Sequence, residues 1–361
     1  HRDLHSFPTR RSSDLMRLTD VAVSDERLRR RLETLIDGWT TDRSFADGAR
    51  VRVEIVAGDA PPTWDGQEAR CWRWEVGVGF LARGKFEPTA SELYGENIDD
   101  AKALDALARA ALASGVAGVP KRLNNKLRHG GGSGTAAMLA HLVDATPLVV
   151  ALAVLDSDAV AHDVDLDHSS TAAAAIRAVE GPSGASGAVP PALRAGAWAH
   201  RNFVSATALF AHELENLLLW VANSERHESP EVGAARALLE ALFADPDPDV
   251  ERLALFVNLM PGNKKNLPPS DVRGSAAWAK LPTAIAPRDA RMVIAKKVGG
   301  AFVDDVAAGG GRANEVAKAA WTETHLAART LRELITMVAW YCAAAPPSTG
   351  SPKGRLRSAE A

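Results

Sequence analysis

The 361-residue sequence is poor in cysteine, in aromatic residues and in long apolar runs. Its two cysteines, Cys71 and Cys342, exclude a disulfide framework and a cysteine-rich zinc site. No apolar run reaches the roughly 18 residues of a transmembrane helix, so no membrane span is expected. The formal net charge of −3 gives no overall attraction toward nucleic acid or a membrane surface. A cytoplasmic bacterial protein is expected, in which any nucleic-acid contact comes from local basic patches.

The first fifteen residues are set aside from the fold. Residues 1–15 lack the apolar segment of a secretory signal and look like a translated sequencing adapter, and Met16 follows them as a plausible start. The remaining length predicts two or three structural units. Two groups of basic residues are candidates for phosphate contacts: Lys121, Arg122, Lys126, Arg128 and His129 in one, and Lys264, Lys265, Lys296 and Lys297 in the other.

Residues 16–89 have the pattern of a small α+β region. The apolar spacing over 24–39 predicts a helix, and alternation predicts strands at 50–57 and 70–82. The segment Gly58 to Gly66 is rich in Pro and Asp and is expected to be a linker.

Residues 90–225 alternate between strand and helix patterns, which predicts an α/β domain with a parallel sheet and right-handed crossovers. We expect strands at 91–95, 116–123, 147–155 and 203–210, and helices at 99–114, 135–144, 170–179 and 213–223.

Residues 226–345 are expected to be mostly helical, and residues 346–361 to be a disordered tail. The predicted helices cover 229–244, 248–259, 286–308 and 312–344, with interruptions at Gly299-Gly300 and Gly309-Gly310-Gly311.

The longest apolar run, Pro147 to Leu155, ends abruptly in Asp156-Ser157-Asp158. A run without alternation is typical of a buried parallel strand, and ligands of open α/β sheets bind at the carboxyl edge of such strands. Two unpaired carboxylates ~5 Å apart repel by about 3 kcal/mol at an effective dielectric near 20. A divalent cation removes that repulsion, and Mg²⁺ prefers carboxylates, waters and phosphate oxygens.

Three further features stand in order around this strand. Glu96 follows the strand at 91–95, with Asp100 four residues later; a Gly-rich turn spans Gly130–Gly134; and Glu215-Asn216 opens the helix after 203–210. Together with Asp156 and Asp158, this order resembles the Toprim domain, the phosphodiester-chemistry module of topoisomerases, primases and OLD-family nucleases. The resemblance covers 90–225 and departs from the family at Asn97, where the family has glycine.

The resemblance implies a Toprim-like nuclease that acts on DNA or RNA, in bacterial phage defence or repair. It implies that Glu96 and Asp100 are catalytic, with Glu96 an acid/base group or a metal ligand. Asp156 and Asp158 would bind Mg²⁺ or Mn²⁺, and Glu215 would complete a second metal position. OLD proteins carry an ATPase, and this sequence has no Walker A lysine after the glycine turn, so an ATPase or other partner protein acting in trans stays open.

Other interpretations also fit the same residues. Asp156 and Asp158 are compatible with a strand end and a helix cap, and Glu215 with a helix first turn. The whole domain is compatible with a catalytically silent scaffold that binds nucleic acid or a protein. A Rossmann-like enzyme that binds a nucleotide at Gly130–Gly134 is the third interpretation. His212-Glu213 begins like a zincin motif, but Asn216 stands where the second histidine is required, so that motif is rejected.

Overall fold

The computed structural model describes residues 51–56, 58–59, 63–68, 71–77, 79–80, 90–116, 118–120, 122–145, 149–159, 161–181, 192–221, 242–244, 248–256 and 296–343. Four of our predictions fall wholly or mostly elsewhere in the chain: the adapter-like segment 1–15, the helices at 24–39 and 229–244, and the tail 346–361.

A three-stranded sheet occupies the N-terminal region, with the order β1-β3-β2. Its strands are β1 (Val51–Val56), β2 (Thr63–Glu68) and β3 (Cys71–Gly77). The strand expected at 50–57 is present, whereas the one expected at 70–82 ends at Gly77 and residues 79–80 are helical. Part of the expected linker is strand β2. Strand β2 pairs antiparallel with β3, with an irregularity between Trp64 and Gly66. Its backbone hydrogen bonds to β3 stabilise a strand that its polar sequence does not predict.

A five-stranded, mostly parallel sheet forms the centre of the molecule, with the order β5-β4-β6-β8-β7. Its strands are β4 (Ser91–Gly95), β5 (Asn125–His129), β6 (Ala151–Leu155), β7 (Trp198–Arg201) and β8 (Val204–Ala208). Strands β5, β4, β6 and β8 are parallel, and β7 is antiparallel to β8. The predicted α/β class is confirmed at this level.

Two strands depart from the prediction. The strand expected at 116–123 is wrong, because the strand beside β4 is β5, whose polar side chains alternate between half-buried and exposed instead of forming an apolar run. Strand β7 was not expected. It forms a tight hairpin with β8 through Asn202 and Phe203, both at positive φ, and this turn contains neither the glycine nor the proline that usually marks one.

Eight α-helices accompany the strands in the described part of the chain. They are α1 (Ile98–Ala113), α2 (Thr135–Val143), α3 (Thr171–Glu180), α4 (Leu214–Leu218), α5 (Pro248–Ala254), α6 (Lys296–Ala307), α7 (Gly311–Thr322) and α8 (Leu326–Tyr341). Helix α1 packs against β4, β5 and the three C-terminal helices, whereas α2 and α3 pack against each other. The crossover through α1 leads from β4 to β5, and the crossover through α2 leads back in the opposite direction, from β5 to β6. Right-handed crossovers therefore place these two helices on opposite faces of the sheet.

The C-terminal helices differ from the prediction in two details. Gly299 and Gly300 lie inside α6 and do not interrupt it, because the interruption falls at Gly309 and Gly310, both at positive φ. The helix expected over 312–344 is two helices. It breaks before His325, whose side chain caps α8 by accepting a hydrogen bond from the backbone N–H of Ala328.

One hydrophobic core joins the sheet to the C-terminal helices. It includes Leu93 of β4, all of β6, Leu104 and Leu107 of α1, and Ile335 of α8. Every residue of β6 is buried, as its uninterrupted apolar run predicts for a central parallel strand. Among the described residues, each helix is too short or too polar to span a lipid bilayer.

Candidate metal centre

Four parallel strands of the central sheet end at one edge, and an acidic or glycine-rich segment follows each of them. Glu96 follows β4, the glycine turn follows β5, Asp156 and Asp158 follow β6, and a His-Glu pair follows β8. This is the edge at which open α/β sheets bind ligands. The carboxylates whose charges influence one another there are Glu96, Asp100, Asp156, Asp158, Glu213 and Glu215.

Glu96 lies directly at the end of β4, where its two carboxylate oxygens have different surroundings. Oε1 accepts a hydrogen bond of 3.4 Å from the Thr171 hydroxyl at the start of α3. Oε2 is buried and has no hydrogen-bond partner in the structure. Burial raises the pKa of Glu96, and the nearby carboxylates of Asp158 and Asp100 raise it further. An unpaired buried carboxylate oxygen is costly, so Oε2 is suited to a cation or a proton.

Asn97 and Asp100 build the start of α1 as a reciprocal capping box. The Asn97 side chain accepts hydrogen bonds from the backbone N–H groups of Asp99 (2.8 Å) and Asp100 (3.1 Å). The Asp100 carboxylate accepts one from the Asn97 N–H at 3.1 Å. Burial raises the pKa of Asp100, although the hydrogen bonds from Asn97 oppose that shift. Asp100 therefore holds the helix start beside Glu96, and its catalytic role stays a prediction.

Gly95 explains why glycine precedes Glu96 in this chain. A Cβ at position 95 would lie 2.6 Å from the Asn97 carbonyl oxygen and 2.7 Å from the Ala101 nitrogen. Real Cβ atoms do not approach backbone atoms so closely, so only glycine lets α1 begin immediately after β4. Asn97 is thus the N-terminal cap of α1, and Gly95, two residues earlier, permits the tight turn between β4 and α1.

The loop after β6 is fastened to the loop after β8. Asp156 Oδ1 accepts a hydrogen bond of 3.0 Å from the backbone N–H of Leu214, the first residue of α4. The Ser157 hydroxyl donates to the carbonyl oxygen of Ala211, and the Asp158 N–H donates to that of His212 at 3.0 Å. Asp158 itself is exposed and has a left-handed backbone, with φ of 51°. These bonds hold the two loops in one arrangement.

Asp156 is influenced by the charges of four other carboxylates at this edge. Burial raises its pKa well above the usual range for aspartate, and the charges of Asp100, Glu215, Glu213 and Glu96 raise it further. Its bond to Leu214 also fits the expected alternative of a helix cap. One carboxylate oxygen is thus committed to α4, while the negative field of four neighbours surrounds the group.

His212 and Glu213 follow β8 and complete a possible set of metal ligands. His212 is 5% exposed, and its Nδ1 lies 2.8 Å from the carbonyl oxygen of Ala159. Burial lowers the pKa of His212. Glu213 Oε2 is buried without a hydrogen-bond partner, and burial with the charges of Glu215 and Asp158 raises the pKa of Glu213 to about 8. One ligand atom from each of Asp158, His212 and Glu213 lies within 4.8 Å of the other two, so this trio could hold a metal ion.

Glu215 lies one residue into α4 and faces the same charges. Burial raises its pKa, and the Asp100 carboxylate adds to the shift. The structure therefore brings all five predicted residues (Glu96, Asp100, Asp156, Asp158 and Glu215) to one edge of the sheet. Which of them bind metal stays a prediction.

The sequence interpretation overlooked His212 and Glu213 as possible metal ligands. We compared them with a zincin motif, and the absence of a second histidine led to the rejection of the pair. The available signal was their place a few residues after a buried strand, similar to the signal that identified Asp156.

The glycine turn lies beside this centre. The N–H of Gly130 donates to the carbonyl oxygen of Gly95 at 3.0 Å, which joins the ends of β5 and β4. Thr135, the first residue of α2, is fully buried. Arg122, Lys126 and Arg128 are exposed on or near β5. Of the other basic candidates, Lys121, Lys264 and Lys265 lie outside the described residues, as do the side chains of Lys296 and Lys297.

No protein-family model, curated protein or solved structure matches this chain.

Proposed function

We propose that this protein hydrolyses phosphodiester bonds of DNA or RNA with divalent cations bound at the carboxylate-rich edge of its central sheet. The observation that carries the proposal is the convergence of six acidic side chains, among which Glu96 and Glu213 each have a buried oxygen without a partner. Two unit charges ~5 Å apart repel by about 3 kcal/mol at an effective dielectric near 20. Cations or protons bound at these oxygens would stabilise such an arrangement.

The ligand types fit Mg²⁺ or Mn²⁺. Carboxylate oxygens are the ligands that both ions prefer, and an imidazole nitrogen is compatible with Mn²⁺. Asp158, His212 and Glu213 would hold one ion, and Glu96 and Asp156 lie at the same edge. When bound, such ions neutralise charge on the scissile phosphate and lower the pKa of a water nucleophile.

Glu96 is the residue of this chain best suited to move a proton. Its pKa is raised toward the pH range in which a general acid or base works efficiently. The Thr171 hydroxyl orients Oε1 and leaves Oε2 free of hydrogen bonds. The capping box of Asn97 and Asp100 fixes the backbone next to Glu96, so the carboxylate is held in place before substrate binds.

The nucleic-acid part of the proposal is supported by charge. A cluster of carboxylates repels a polyanion unless cations stand nearby. Lys126 and Arg128 are exposed on β5, and Arg122 is exposed three residues before it. The carboxyl end of β5 reaches the same edge as Glu96. Arg128 also pairs with Glu92 at 2.7 Å, which leaves Arg122 and Lys126 as the stronger candidates for phosphate contacts.

A cleavage assay with matched variants tests the proposal. We expect plasmid or single-stranded nucleic acid to be cleaved with Mn²⁺ or Mg²⁺ and to stay intact with EDTA. Asp158→Asn and Glu96→Gln should lower the rate at least a hundredfold. Asparagine tolerates the left-handed backbone at 158, so that variant should keep its fold. Asp304→Asn, at an exposed carboxylate of α6, is the control and should cleave normally.

A binding assay tests the substrate class separately. Arg122→Glu with Lys126→Glu should weaken binding of labelled nucleic acid and reduce the salt dependence of the affinity. Lys318→Glu, at an exposed lysine of α7, is the control. Metal binding without turnover of any nucleic acid would overturn the nuclease proposal and favour the catalytically silent scaffold.

A further inference from the structure

One group of possible metal ligands at this edge includes an imidazole nitrogen beside two carboxylates, and it consists of Asp158, His212 and Glu213. The other carboxylates of the edge offer only oxygen atoms. We propose that this trio is a mixed nitrogen-and-oxygen metal position that selects a first-row transition ion, such as Mn²⁺, over Mg²⁺ and Ca²⁺. The inference rests on the metal binding of the proposed function but not on the cleavage of nucleic acid.

The hydrogen bond at one nitrogen of His212 determines what the other nitrogen offers. Nδ1 lies 2.8 Å from the carbonyl oxygen of Ala159, and a carbonyl oxygen only accepts, so Nδ1 carries the proton. In the neutral imidazole, Nε2 then has a free lone pair. A histidine with one nitrogen bonded to a backbone carbonyl and the other free is the usual arrangement of a metal ligand.

The surroundings of Nε2 favour a cation at this point. Its closest described partner is Glu213 Oε1 at 3.9 Å, too far for a hydrogen bond. His212 is 5% exposed as a whole residue, so the protein holds its ring in place. Glu213 Oε2 is buried without a partner, and an Asp158 oxygen completes a group within 4.8 Å. Three electron-rich atoms facing one another are stabilised by a positive ion among them.

The backbone holds these ligands together without metal. The Asp158 N–H bonds to the His212 carbonyl, and the Ser157 hydroxyl bonds to the Ala211 carbonyl and accepts from the Ala159 N–H. Asp158 has a left-handed backbone with φ of 51°, so the chain changes direction at this residue. This framework lowers the cost of ordering the site when an ion binds.

The donor set decides which ions bind. Imidazole nitrogen suits transition ions, whereas Mg²⁺ and Ca²⁺ prefer oxygen ligands alone. Glu96, Asp100, Asp156 and Glu215 offer only oxygens, so they are the better ligands for Mg²⁺. The edge therefore contains two kinds of ligand set, and the trio is the one with transition-metal preference.

Mn²⁺ titration followed by electron paramagnetic resonance tests this inference on the whole chain. We expect the wild-type protein to retain at least one Mn²⁺ in a hundredfold excess of Mg²⁺, with nitrogen modulation in the spin echo from a bound imidazole. His212→Asn keeps a donor in the place of Nδ1 but removes Nε2, so it should lose the nitrogen signal and weaken retained Mn²⁺ at least tenfold. Asp163→Asn, at an exposed carboxylate in the loop between β6 and α3, is the control.

A second variant keeps the test decisive if His212→Asn fails to fold. His212→Gln places an amide oxygen near Nε2 and should bind Mn²⁺ without nitrogen modulation. Mn²⁺ bound to the wild type without nitrogen modulation, or displaced by equimolar Mg²⁺, would overturn the inference. A protein that retains Mn²⁺ with the nitrogen signal yet cleaves nothing would overturn the nuclease proposal alone.

Discussion

Glu213→Gln should stabilise the metal-free protein at alkaline pH, because it replaces a buried carboxylate by a neutral group of the same shape. The Glu213 side chain is 12% exposed, and its Oε2 has no hydrogen-bond partner. Burial, with the charges of Glu215 and Asp158, raises its pKa from 4.5 to about 8. At one pKa unit per 1.36 kcal/mol, ionised Glu213 costs the folded state at most about 5 kcal/mol.

The sign of the pH dependence follows from where the proton is bound. Between pH 4.5 and about 8, folded Glu213 holds a proton that the unfolded chain has released. The contribution of Glu213 to the free energy of unfolding is therefore fully present below pH 4.5 and is lost as the pH rises through about 8. Since neighbouring carboxylates share the protons, we expect Glu213→Gln to be more stable than wild type by about 2–4 kcal/mol at pH 9. The difference should shrink toward pH 5.

Urea denaturation from pH 5 to 9 in a chelating buffer measures this difference, with Asp304→Asn as the control. Addition of Mn²⁺ should remove most of this difference in stability. At a concentration of 100 Kd, a bound ion stabilises the wild type by about 2.7 kcal/mol, and the variant should gain much less. A variant that is less stable than wild type in chelator at pH 9, or that gains equally from Mn²⁺, would refute an unpaired, ion-binding Glu213.

Three further predictions concern the elements around the centre. Gly95→Ala should destabilise the protein by about 1–3 kcal/mol, because the new Cβ would lie 2.6 Å from the Asn97 carbonyl oxygen. Thermal unfolding should show a lower Tm for this variant, and an unchanged Tm would contradict the tight turn. Asn97→Ala should cost about 1 kcal/mol by removing the cap of α1, whereas Asn97→Asp should retain most of the stability in the same assay. Burial lowers the pKa of His200 to about 4, so the wild type should lose stability as the pH falls from 6.5 through 4. His200→Gln cannot titrate at this position and should lose less stability over the same range. Parallel acid-denaturation curves for the two proteins would contradict a neutral His200 in the folded state.

The apolar strand and its acidic end were predictable because their signals are local. The buried run Ala151–Leu155 has no other plausible environment than the middle of a sheet, and parallel topology then brings Glu96 and Glu215 to Asp156. The element order alone was therefore enough to place these carboxylates at one edge.

Other features depend on partners that are distant in sequence. Strand β5 is polar because it pairs along one side with β4 and keeps Lys126 and Arg128 in solvent, so its pattern resembles a loop. The metal-ligand role proposed for His212 depends on the Ala159 carbonyl, which is 53 residues away. No local spacing rule could reveal that contact.

The position of α1 has a consequence for shortened forms of this protein. The helix is buried on two sides, by β4 and β5 beneath it and by α6, α7 and α8 above it. A chain cut after residue 225 would uncover the upper side of α1 and leave the helix without the packing of α6, α7 and α8. Shortened proteins of this kind should aggregate or bind chaperones, and their lack of activity would say nothing about Glu96.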